Sequence, residues 1–223
     1  MLEFLILKKS YPILIHSSFT PKIYIIFIFF RFVTMNKILI RILWKLALLR
    51  LSSSLLLLGG AASGKSSYAE EIVLANSQRP VYIATGRALD GEMASKIADH
   101  RMRRSDRWLT IEEPVEVVKI LFQEDSEEKT FLVDCLTLWL TNLLANNLNV
   151  VEETNRLVSA LDNLHGRVVM VSNELGLGIV PQDHDVRDFR NLHGVMNQSI
   201  AAATDTVIFV TAGLPLILKG GKD

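Results

Sequence analysis

The chain of 223 residues is long enough for one α/β domain plus an appendage, and its 49% hydrophobic, 22% charged composition is that of a globular protein. Lys/Arg and Asp/Glu each number 24, but eight of the basic residues and only Glu3 of the acidic ones lie in residues 1–50, so the remainder is mildly acidic and gives no electrostatic reason to bind nucleic acid. The single cysteine, Cys135, excludes an internal disulfide and any multi-cysteine metal site, and fits a reducing cytoplasm.

Residues 1–50 contain six of the ten phenylalanines and none of the twelve glycines. Their apolar run "IYIIFIFF" stops at Arg31, well short of the ~20 residues that span a bilayer, and no small-residue cleavage site follows it. We read this stretch as an N-terminal extension that is either a mis-assigned start or disordered, with Met35 or a later residue as the true start. A basic amphipathic segment around residues 35–49, lying on a membrane surface, is the alternative. The organised domain is residues 51–223.

The stretch "LLLLGGAASGKSS" (residues 55–67) sets an apolar strand before a glycine-rich turn and a helical pattern over residues 65–76. Gly59, Gly64, Lys65 and Ser66 satisfy G-x-x-x-x-G-K-[ST]. In this loop, backbone N–H groups cradle phosphates, the lysine reaches the β/γ-phosphates and the hydroxyl holds Mg²⁺. Further strands are expected at residues 80–85, 130–134, 167–172 and 205–210. Helices are expected at 92–104, 114–122, 136–146, 151–164 and 186–204. This alternation predicts an α/β fold with a mostly parallel sheet, helices on both faces and a site along the carboxyl ends of the strands.

Asp134 ends an apolar strand, where a phosphate-loop enzyme needs a carboxylate for Mg²⁺ or its waters; a helix cap is the other reading. Cys135 beside it reads as a small buried residue. Within "GEMASKIADHRMRRSDRW", Met93, Ile97, His100 and Arg104 share one helical stripe. His100 is either a histidine at the core margin or, among Arg101, Arg103, Arg104 and Arg107, a neutral imidazole able to attack phosphorus and form a phosphoramidate. Asn173 and Glu174 in "SNELGLGIVP" stand where a substrate would lie, or they cap the next element. His165, His184 and His193 show no metal-site spacing, and backbone hydrogen bonding is their expected role.

Six ordered blocks, "GGAASGKSSYAEEI", "YIATGRALDGEMASKIADHRMRRSDRWLTIEEP", "VDCLTLWLTNLL", "VSNELGLGIVP", "RDFRNLHGVMNQSIAAATD" and "AGLPLILK", resemble the bifunctional adenosylcobinamide kinase / adenosylcobinamide-phosphate guanylyltransferase family of cobalamin biosynthesis. The resemblance implies a RecA-like phosphate-loop fold, a homotrimer and two reactions. A nucleoside triphosphate, ATP or GTP, phosphorylates adenosylcobinamide. GTP then guanylylates a histidine, and the GMP passes to adenosylcobinamide phosphate to give adenosylcobinamide-GDP.

By that resemblance His100 is the guanylylated nucleophile and Lys65 the catalytic cation. The nucleotide contacts are Gly59, Gly60, Ala61, Ala62, Ser63, Gly64, Lys65, Ser66, Ala84, Thr85, Gly86, Arg101, Met102, Arg103, Arg104, Glu112 and Asp134, with Ser66 and Asp134 serving Mg²⁺. His100 must be neutral to attack, and nearby arginines favour that form. The chain departs from the family pattern at Ala62, where an arginine is usual, and at Asn191, where an aspartate is. A monofunctional small-molecule kinase and a non-catalytic GTP-binding protein are the competing readings.

Overall fold

The structure is a computed structural model and describes residues 53–87 and 106–220. The extension 1–50, the expected helix 92–104, His100, Arg101, Met102, Arg103 and Arg104 lie outside the described residues. Seven strands form one sheet: β1 (Ser54–Gly59), β2 (Arg79–Ala84), β3 (Leu109–Glu112), β4 (Lys129–Asp134), β5 (Arg167–Asn173), β6 (Thr206–Thr211) and β7 (Leu214–Lys219). Their order is β3-β2-β4-β5-β1-β6-β7, parallel except for β7. The helices are α1 (Lys65–Asn76), α2 (Val117–Gln123), α3 (Leu136–Ala145), α4 (Val150–Leu161) and α5 (His184–Ala203). This is the expected RecA-like arrangement, with β5 standing between the strand that leads into the phosphate loop and the strand that ends in Asp134.

The central strands read as unbroken apolar runs because both of their faces are covered. Leu56, Phe131, Val133, Val168 and Met170 turn to the face packed by α2 to α5. Leu55, Leu57, Leu132, Val169 and Val171 turn to the opposite face, against Ala69, Ile72 and Val73 of α1. Burying one such leucine contributes about 1.5–3 kcal/mol, so neither face of β1 tolerates a polar substitution.

Two strands escape the sequence pattern. β3 is a four-residue edge strand, "LTIE", with three of its residues exposed, so it has no apolar run to detect. β7 turns back from β6 through Ala212 and Gly213, whose φ values of 50° and 73° are both positive, the geometry of a two-residue hairpin turn. Its residues are mostly exposed, which mutes the strand signal. Helix starts agree to within about three residues, and two of them follow side-chain caps. Asn149 Oδ1 accepts from the N–H groups of Val151 and Glu152 at α4, and Asp183 Oδ1 accepts from Val186 N–H at α5.

Parallel register brings the expected site residues to one edge. Ala84 pairs with both Glu112 and Asp134, and Gly59 pairs with Asn173. All five residues therefore stand at the carboxyl ends of their strands, where open α/β sheets bind ligands.

Candidate nucleotide site

The turn between β1 and α1 is built for close backbone approach. A Cβ added to Gly59 would lie 2.4 Å from the Val210 carbonyl oxygen and 2.6 Å from Ser63 Oγ, so only glycine fits there. Gly64 precedes α1 at φ 90° and gives the helix no side-chain cap. The first-turn N–H groups of α1 are thus left for an anion at the positive end of the helix dipole. Ser63 Oγ is buried without a hydrogen-bond partner among the described residues, and a buried unpaired hydroxyl in this loop fits a phosphate acceptor.

Lys65 is buried, and its Nζ donates to the Gly60 carbonyl at 3.0 Å, curling over the loop. Burial lowers its pKa from the ordinary lysine value, while the neighbouring Cys135 and Asp134 oppose that shift. Ser66 Oγ donates to Asp134 Oδ1 at 3.4 Å, and Tyr82 Oη donates to Asp134 Oδ2 at 2.7 Å. The hydroxyl and carboxylate singled out for Mg²⁺ are therefore adjacent. Two hard oxygen ligands suit a magnesium ion that keeps waters and takes its remaining ligands from phosphate.

Other expected positions have more structural roles. Thr85 is fully buried; its Oγ1 accepts from Cys135 N–H and donates to the Cys135 carbonyl, both at 2.8 Å. It thereby ties the ends of β2 and β4, and its carbonyl accepts from Asn142 Nδ2 at 2.7 Å. Cys135 is buried, and its thiol is pushed up to about 11 by burial, then by Asp134; it stays protonated and unreactive. Ala62 has φ 54° and stands exposed in the loop.

Glu174 does not cap the next helix, a role taken by Asp183. Its backbone N–H donates to the Gly59 carbonyl at 2.9 Å, and its Oε1 accepts from Gly176 N–H at 2.6 Å.

Sequence reasoning missed Tyr82, whose hydroxyl orients Asp134, and a buried polar cluster behind Asn173. His193 was expected to bond to backbone. Instead its Nε2 lies 3.0 Å from Thr137 Oγ1 and 3.2 Å from Ser172 Oγ, and its Nδ1 lies 3.4 Å from Asn197 Nδ2. Asn197 Nδ2 also donates to the Asn173 carbonyl, and Thr137 Oγ1 accepts from Asn173 N–H. Both backbone groups of Asn173 are thus held by side chains. The i, i+4 spacing of His193 and Asn197 on α5 was the available signal. His165 bonds Asp125, and His184 lies near Asp185 and Asp188. Among the described residues no three acids, histidines or cysteines converge on a metal position, and no helix is long and apolar enough to cross a membrane.

Residues 55–218 match the family model described as cobinamide kinase / cobinamide phosphate guanyltransferase. The chain belongs to this family. Among the cobinamide kinase / guanyltransferase relatives is the bifunctional adenosylcobalamin biosynthesis protein CobP of Pseudomonas aeruginosa, 45% identical over 167 residues that cover 74% of this chain and 96% of that protein. The bifunctional adenosylcobalamin biosynthesis protein CobU of Escherichia coli is 34% identical over 180 residues, covering 74% of this chain and 99% of that one.

Similar solved structures include the PH0250 protein of Pyrococcus horikoshii OT3 (TM-score 0.45, 16% identity, 76% of this chain and 87% of that one). The flagellar accessory protein FlaH of Methanocaldococcus jannaschii is another (TM-score 0.43, 15% identity, 76% and 80%). Membership makes this cobinamide kinase / guanyltransferase chain a nucleotide-using transferase with a phosphate-loop fold.

Proposed function

We propose that the chain catalyses two successive steps on one phosphate loop: phosphorylation of adenosylcobinamide by ATP or GTP, then transfer of GMP from GTP to the resulting phosphate. In the first, the substrate hydroxyl oxygen bonds to the γ-phosphorus, the nucleoside diphosphate leaves, and the hydroxyl proton passes to solvent. In the second, His100 attacks the α-phosphorus of GTP and expels pyrophosphate. The phosphate oxygen of the corrinoid then displaces the imidazole, giving adenosylcobinamide-GDP.

The observation that carries this reading is the convergence of Lys65, Ser66 and Asp134 on one loop. Such a set positions a triphosphate and neutralises its charge, which is most of what phosphoryl and nucleotidyl transfer require. Ser66 and Asp134 would hold Mg²⁺, which supplies charge neutralisation at the phosphate oxygens. Gly59 to Ser66 cradle the phosphates, with Ala84, Thr85, Gly86 and Glu112 along the same strand edge. The free thiol of Cys135 and the nucleotide substrates fit the cytoplasm. Leu214, Leu216 and Leu218, each more than half exposed on the edge strand β7, support assembly into the trimer that the family resemblance implies.

The test is incubation with Mg²⁺ and GTP labelled at the α-phosphate, for wild type and His100→Ala. Acid-labile, base-stable label on wild type alone is expected. A folded, GTP-binding wild type that takes up no label leaves a monofunctional kinase and removes the transferase step.

A further inference from the structure

The segment that follows β5 starts against the nucleotide loop, where Glu174 N–H bonds the Gly59 carbonyl, and then exposes three aliphatic side chains. Leu177, Ile179 and Val180 are 81%, 97% and 60% exposed. Three aliphatic side chains within four positions form a local patch of the kind that marks a binding surface.

The backbone that displays them is held at both ends. At the near end Asn173 is clamped by Thr137 and Asn197, Glu174 N–H bonds the Gly59 carbonyl, and the Gly176 carbonyl accepts from Arg190 Nη2. At the far end Arg187 Nη1 donates to the carbonyls of Pro181 and Gln182. The bond to Gly59, the last residue of β1, joins this surface to the start of the phosphate loop.

We propose that Leu177, Ile179 and Val180 form the platform on which the macrocycle of the corrinoid substrate rests. This deepens the functional reading above and depends on it. The substrate class named for the family joins a small reacting hydroxyl or phosphate to a broad macrocycle whose edge carries methyl groups between its amide arms. A phosphate loop can hold the first but offers the second nothing. The triphosphate is recognised by charge and hydrogen bonds and has no use for three exposed aliphatic side chains. Aliphatic side chains on a segment whose start is bonded to the end of β1 answer the remaining need, because apolar burial is non-directional and scales with area.

The experiment compares the full-length wild type with Leu177→Ser/Ile179→Ser and Leu177→Met/Ile179→Met in steady-state kinetics with cobinamide and cobinamide phosphate. Solution mass and the KM for GTP are measured alongside. The serine variant is expected to raise the corrinoid KM by about tenfold or more, with the GTP KM and the mass unchanged. The methionine variant, which restores apolar area, should return the corrinoid KM to within about twofold of wild type. An unchanged corrinoid KM in the serine variant overturns the platform. So does a fall in mass with an unchanged KM, which marks the patch as a contact between copies. A wild type that binds GTP but turns over no corrinoid overturns the functional reading, and the platform with it.

Discussion

Ser66 and Asp134 are 68 positions apart in sequence, yet Oγ of one stands 3.4 Å from Oδ1 of the other. The first turn of α1 supplies the hydroxyl and the end of β4 supplies the carboxylate, with β5 lying between β1 and β4. Tyr82 holds the second carboxylate oxygen, so the acid is oriented from both sides.

Replacing Asp134 with Asn keeps the volume and an oxygen acceptor for Tyr82 Oη but removes the charge. The expected result is a loss of about two orders of magnitude in kcat for both reactions at saturating nucleotide, because charge neutralisation at a metal contributes several kcal/mol to such transition states. The melting temperature should move by only a few degrees. Steady-state rates across a Mg²⁺ titration check this, and a variant with wild-type rates at ordinary Mg²⁺ removes Asp134 from the metal site.

Gly59 and Gly60 are adjacent in sequence but differ in what they tolerate. A Cβ on Gly59 meets the Val210 carbonyl and Ser63 Oγ, whereas one on Gly60 meets nothing within 4 Å. Gly59→Ala must displace backbone and is expected to cost about 1–3 kcal/mol and to weaken GTP binding at least about tenfold. Gly60→Ala should melt within about 2 °C of wild type. Thermal melts and nucleotide titrations on the pair decide it, and equal behaviour of the two variants contradicts the packing described.

Asp205 ties the start of β1 to the turn before β6. Its Oδ2 accepts from the N–H and hydroxyl groups of both Ser53 and Ser54. Partial burial alone would raise its carboxyl pKa, but these four bonds outweigh that and hold it below the ordinary aspartate value. Asp205→Ala is therefore expected to destabilise by about 1–2 kcal/mol while leaving GTP affinity unchanged, which denaturant melts and titrations measure. An unaffected midpoint makes the four bonds energetically neutral.

The parallel strands were legible because burial on both faces writes apolar runs into the sequence, as at "LLLL" and "TFLVD". The phosphate loop was legible because its glycines and lysine have fixed offsets. β3 and β7 were not, since an exposed edge strand need not be apolar and the Ala212–Gly213 turn lacks the common Asn-Gly signal. Asp134 could be named as a candidate from its place at a strand end. Tyr82 could not be assigned to it, because the bond between them depends on the pairing of β2 with β4. The same holds for His193, whose partners come from α3, β5 and α5.

His193 gives a pH prediction whose sign follows from its surroundings. Asn197 Nδ2 is a donor, so it pairs with an unprotonated Nδ1, and the ring proton on Nε2 faces the Thr137 and Ser172 hydroxyl oxygens. The cluster is satisfied by a neutral ring, and burial lowers its pKa from 6.5, opposed in part by Glu174. Unfolded, the imidazole titrates near its ordinary value of about 6.5. Between that value and the lower folded one, the unfolded chain binds more protons, so stability rises with pH there. The contribution is complete above about pH 6.5 and is lost as pH falls through the folded pKa.

His165 has its pKa raised by its hydrogen bond and charge interaction with Asp125. Its contribution runs the opposite way, present at low pH and lost as pH rises through its folded value. A difference between wild type and His193→Gln cancels this background. As pH is lowered from about 7.5 to about 5.5, the wild-type melting temperature should fall more than that of His193→Gln, since glutamine does not titrate. Melting curves that stay parallel across that range overturn the neutral-histidine cluster.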